Sequence, residues 1–86
     1  MEKSIHTTQY GVFLRLLRET REAANTTQVQ LAKSIRQSQS FVSKVEIGEQ
    51  RLDVIQLRTL LQALGSSLPE FISDLEGRLR DKAKRR

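Results

Sequence analysis

The chain has 86 residues, 37% of them hydrophobic, with no tryptophan and no cysteine. That composition limits it to one small domain with an aliphatic core and excludes disulfides and thiolate metal sites. The net charge is +5, but residues 1–77 hold nine basic and nine acidic residues, so the whole excess sits in residues 78–86, with six basic residues and one acid. No apolar run reaches membrane-spanning length, and the start MEKSIHTTQYG is too polar for a signal peptide, so a soluble cytoplasmic protein is expected. The one histidine, His6, lies near the N-terminus, with no Gly-rich phosphate loop and no evident carboxylate pair. Catalysis, a metal and a cofactor are therefore not expected.

In chain order, residues 1–8 are expected to be a flexible terminus. A first helix is predicted from Gln9 to Ala24, with Phe13, Leu14 and Leu17 as its apolar stripe and Tyr10 at its start. Asn25 and Thr26 link it to a second helix capped by Thr27, in which Leu31, Ala32 and Ile35 make one apolar face. After Arg36 and Gln37, Ser38 caps a third helix that turns Phe41, Val42 and Val45 inward and ends at Gly48. Residues 48–51, Gly48-Glu49-Gln50-Arg51, form a loop that could rest on a sugar–phosphate backbone. Asp53 caps a fourth helix with Leu57, Leu60, Leu61 and Leu64 buried, ended by Gly65. Ser66 or Ser67 starts a fifth, with Pro69 in its first turn and Leu68, Phe71, Ile72, Leu75 and Leu79 on one side. Core packing accounts for Leu68, Phe71 and Ile72. Leu75 and Leu79 either lie on their own domain or, with Phe71, meet a second copy.

The second and third helices, joined by a tight turn, are the most informative stretch. A solvated helix face usually carries Glu and Lys, whereas the outer face here carries Gln39, Ser40, Ser43 and Lys44. Glutamine can bond adenine N6 and N7 together, serine any base edge, and lysine guanine or phosphate. The plain alternative is a polar surface that happens to lack acids. Ser38 stands at the N-terminal edge of this group, and Lys33, Arg36 and Arg51 lie in or beside the motif.

This segment resembles the helix-turn-helix of the Xre/Cro/cI-type regulators. The likeness runs from about Tyr10 to Leu75 and is carried by LRETREAANTTQ (Leu17 to Gln28), Leu31-Ala32, SQSFVSKVE (Ser38 to Glu46), Gly48 and Ala63-Leu64-Gly65. It implies an all-α, compact five-helix, lambda-repressor-like DNA-binding domain over residues 9–77, followed by a basic tail over 78–86. It also implies that Gln28 contacts a phosphate and buttresses Gln39, that Gln39, Ser40, Ser43 and Lys44 face bases or nearby backbone, and that Arg21 and Glu46 form an internal ion pair. Two residues depart from the family pattern: Arg36 stands where glycine is usual, at a position that often has positive φ, and Gln37 stands where an apolar residue is usual. Arg36 then either alters the turn or accepts strain and offers its guanidinium to a phosphate.

The leading expectation is a sequence-specific regulator of transcription, a repressor, binding double-stranded DNA as a homodimer on a palindrome through residues 39–46. The second is an antitoxin or other interaction module that holds a toxin or another protein through its C-terminal helix. The basic tail is a solvated end, a source of nonspecific DNA affinity, or a membrane-surface or localisation signal supported by charge alone.

Overall fold

The computed structural model describes the backbone of residues 8–84 and the side chains of residues 8–81. Within them the chain forms five helices and no strand: α1 (Thr8–Ala23), α2 (Gln28–Ser34), α3 (Gln39–Glu46), α4 (Val54–Ala63) and α5 (Leu68–Lys84). The all-α, five-helix expectation holds. Among the described residues no helix is long and apolar enough to cross a membrane.

Side-chain caps start four of the helices, that of α5 being Ser67 Oγ, which accepts from Glu70 N at 3.4 Å. Thr27 Oγ1 accepts from Gln30 N at 3.1 Å while Gln30 Oε1 accepts from Thr27 N at 2.9 Å, a reciprocal capping box. Asp53 and Gln56 repeat the arrangement at α4, at 2.7 and 2.9 Å. Ser38 caps α3 by accepting from Phe41 N at 3.0 Å. A threonine or aspartate followed three residues later by glutamine is the sequence signal for such boxes, and it was legible at both starts.

The first four helices end alike, each on a residue of positive φ whose neighbours bond back to the last carbonyls. These residues are Asn25 (φ 54°), Arg36 (φ 59°), Gly48 (φ 86°) and Gly65 (φ 77°). At α3, Glu49 N donates to Lys44 O at 2.8 Å and Gly48 N to Val45 O at 3.1 Å. At α2, Gln37 N donates to Ala32 O at 2.9 Å and Arg36 N to Lys33 O at 3.2 Å. The turn of the motif is thus an ordinary helix stop in which arginine adopts the conformation that glycine adopts freely.

The core consists of Leu16 and Leu17 from α1, Leu31 and Ala32 from α2, Val42 and Val45 from α3, Leu57, Leu60, Leu61 and Leu64 from α4 and its cap, and Phe71 from α5. α2 packs on α3, α1 lies against α3 and α5, and α4 closes against α2 and α5. Ala32, only 3% exposed, is the small residue that the α2–α3 crossing requires.

Four expectations need correction. Leu16 is buried and Phe13 and Leu14 only partly so, because the face of α1 is turned toward α3 as well as α5. Ile72, expected in the core, is 46% exposed. Phe71, grouped with the dimer-forming residues, is 2% exposed and meets Phe13 edge-on with ring centroids 5.8 Å apart, so it is core and has no surface for a second copy. Finally, the border drawn between residues 77 and 78 falls inside α5, because residues 78–84 are mostly strong helix formers that extend the helix, and Arg78 Nη2 reaches Glu19 Oε1 on α1 at 2.7 Å. The expectation of a flexible N-terminus falls outside the described residues except at Thr8, which begins α1.

Replacing Arg36 with glycine removes the steric cost of a left-handed arginine. R36G should stabilise the domain by about 1 kcal/mol, raising Tm by roughly 4–8 °C in a domain of this size. A thermal melt with an unchanged or lower Tm would show that the turn holds no strain.

Candidate nucleic-acid interface

The motif is assembled around a largely buried ion pair. Arg21 on α1 donates from Nε to Glu46 Oε2 at 2.6 Å and from Nη2 to Glu46 Oε1 at 3.1 Å. Its Nη1 donates to the Thr26 carbonyl at 2.9 Å, tying down the link between α1 and α2. The two side chains are 11% and 6% exposed, so water screens the pair poorly. The hydrogen bond to Glu46 raises the Arg21 pKa above its ordinary value, burial opposes this, and the Glu46 charge adds to the rise. A raised pKa contributes stability that is complete below the unfolded value and is lost only as pH climbs through the folded one. For an arginine that window is strongly alkaline, so the guanidinium stays charged under all ordinary conditions.

The pair also sets the orientation of the amides on the outer face of α3. Glu46 Oε1 accepts a further bond from Gln28 Nε2 at 3.0 Å. An ionised carboxylate only accepts, so the Gln28 amide must turn its nitrogen to Glu46 and its oxygen away. Gln28 Oε1 then accepts from Gln39 Nε2 at 2.7 Å. Gln39 spends one amide hydrogen on this bond and keeps one N–H and its oxygen, the pair that a bidentate contact with adenine requires.

Around Gln39 the outward face of α3 comprises Ser40 and Lys44, both exposed, and Ser43, half-buried, while Val42 and Val45 point inward at 1% exposure each. Ser38 and Arg36 are exposed at the N-terminal edge. The structure therefore brings Gln28, Arg36, Ser38, Gln39, Ser40, Ser43 and Lys44 to one region of the α2–turn–α3 unit.

Arg51 is grouped differently. Its guanidinium lies over the Tyr10 ring, 4.7 Å from the centroid. There it lines a groove of about 430 Å³ with Tyr10, Phe13, Leu52, Leu75 and Leu79. A cation over an aromatic face is attracted by the ring quadrupole, which holds the loop on α1 beside the leucines of α5. Ile47, absent from the sequence-based candidates, follows Ser43 by four residues on the outer side of α3 and is 53% exposed. Its spacing was the available signal.

A helix-turn-helix family model matches residues 17–71, well over half the chain. The chain belongs to this family, the Xre-type helix-turn-helix proteins, and is a DNA-binding regulator of transcription. Among solved structures it is similar to an XRE-family like protein from Pseudomonas syringae pv. tomato str. DC3000, at 41% identity and a TM-score of 0.79 over 87% of this chain and 92% of that one. Two more distant neighbours share the fold. The restriction-modification controller protein C.Esp1396I is 18% identical with a TM-score of 0.77, over 86% of this chain and 97% of its own. The clp gene regulator ClgR of Corynebacterium glutamicum is 23% identical with a TM-score of 0.77, over 92% of this chain and 84% of its own. No curated protein gives a significant match.

Removing one member of the largely buried pair leaves the other charged and poorly solvated. E46A should cost about 3–5 kcal/mol, a large share of the roughly 5–15 kcal/mol that holds a domain together. The double variant Arg21→Met, Glu46→Leu should regain much of this in urea melts. A loss below about 1 kcal/mol for E46A would put the pair among ordinary surface pairs.

Proposed function

We propose that the protein is a repressor that binds a palindromic operator in the cytoplasm as a homodimer, each copy setting α3 into the major groove of one half-site. The observation that carries this is the acid-free outer face of α3, with the Gln39 amide held and oriented by Gln28. In this reading Gln39, Ser40, Ser43 and Lys44 meet base edges or adjacent backbone. Gln28, Ser38 and Arg36 hold phosphates, and base contacts select the site while phosphate contacts supply salt-dependent affinity. Arg51 reaches the backbone from its place over Tyr10.

The dimer contact is assigned to α5. Ile72, Leu75 and Leu79 follow one another at i, i+3 and i+7, and Leu75 and Leu79 are left half-buried beside the Arg51 groove. The same stripe suits another protein's apolar helix, which keeps an antitoxin role as the second reading. The basic end of α5 adds nonspecific attraction to DNA.

Selection from random duplexes should return a palindrome with half-sites about one helical turn, roughly 34 Å, apart. Gln39→Ala should relax one base position at a cost of about 1–3 kcal/mol. Arg36→Ala should weaken all sequences alike and reduce the salt slope by about 1. Binding without enrichment that vanishes at moderate salt would leave only the basic end of α5 and favour the protein-partner reading.

A further inference from the structure

The outer face of α3 ends in a side chain that its polar members do not explain. Ser43 and Ile47 follow Gln39 at i+4 and i+8 and so lie on one face of the helix. Ile47 is the C-cap residue, where the backbone leaves the helical region (φ −96°, ψ 3°), but its N–H still bonds Ser43 O at 3.1 Å and so holds it on the last turn. Its side chain therefore continues the line of Gln39 and Ser43. It is 53% exposed, in contrast to Val42 and Val45 on the inner face, so core packing does not account for it. An aliphatic side chain cannot hold a phosphate, and it gains nothing from the donors and acceptors of base edges. The one apolar group on the major-groove edge of a base pair is the C5-methyl of thymine.

We propose that Ile47 is a specificity-determining residue that packs on a thymine C5-methyl in the half-site. This rests on the DNA-binding reading above. The distances suit it. Ile47 lies about 12 Å beyond Gln39 along the helix axis, roughly three to four base-pair steps when the helix lies along the groove. When Gln39 addresses one base, Ile47 faces a different base pair of the same half-site. The contact favours thymine by shape and by removal of apolar surface from water, and it leaves Gln39 to distinguish adenine by hydrogen bonds.

The test uses the full chain and the operator recovered by selection, with each thymine of the half-site replaced singly by uracil, which lacks only the methyl. Wild type should lose about fourfold in affinity per half-site at one of these positions, the effect of one buried methyl. Ile47→Ala should bind the parent operator more weakly by a similar factor and should not distinguish thymine from uracil there. Because Ile47 is exposed, its thermal melt should match that of the wild type. The inference is overturned if every uracil duplex binds wild type as tightly as the parent, if the half-site holds no thymine, or if Ile47→Ala keeps the discrimination. Failure to recover any operator would overturn the DNA-binding reading as well, which separates the two failures.

Discussion

The bidentate contact between Arg21 and Glu46 is the interaction on which the rest of the structure depends. It joins α1 to α3 directly, reaches the α1–α2 link through the Thr26 carbonyl, and reaches α2 through Gln28. A charged pair removed from water gains little net free energy over an apolar replacement. What it supplies here is direction. Because the carboxylate can only accept, each amide beyond it has one acceptable orientation, and the choice is passed from Glu46 through Gln28 to Gln39. A leucine pair in the same place would hold the helices together and leave the Gln39 amide free to turn.

Around that centre the domain is held by helix ends as much as by its core. A chain this short, without disulfide or metal, has few apolar side chains to bury, and helices of seven to ten residues are marginal alone. Capping boxes at α2 and α4 and closed C-terminal turns on the first four helices satisfy backbone groups that would otherwise be orphaned. Arg36 is the exception among these stops. Its conformation is costly for an arginine, and its position puts a cation at the turn between the two motif helices, where a glycine would offer only backbone.

α5 belongs to both the core and the outside. Phe71 inserts beside Phe13, Arg78 is paired to Glu19, and the helix continues to Lys84 with its basic residues at the end where the helix dipole favours them. The leucines Leu75 and Leu79 share a groove with Arg51 and Tyr10. A contact with a second copy along α5 would therefore bear on the loop that follows α3, because the same groove holds residues of both.

Much of this was legible in the chain alone. Thr27, Ser38 and Asp53 mark helix starts, Gly48 and Gly65 mark stops, and the leucine spacing of α4 gives its buried side, because caps and periodicity are local properties of a few consecutive residues. The polar face of α3 follows from spacing for the same reason. Only the tertiary structure could decide how far each face is covered. Phe71 and Ile72 are neighbours of similar hydrophobicity, yet one is sealed by Phe13 and the other lies half in water, since burial depends on what a distant helix brings to that point. The chain of contacts from Arg21 to Gln39 spans three helices, and Arg51 leans on Tyr10 from about 40 residues away. Local chemistry determined which elements form and where they stop; long-range packing decided which side chains meet, and therefore which way the Gln39 amide faces.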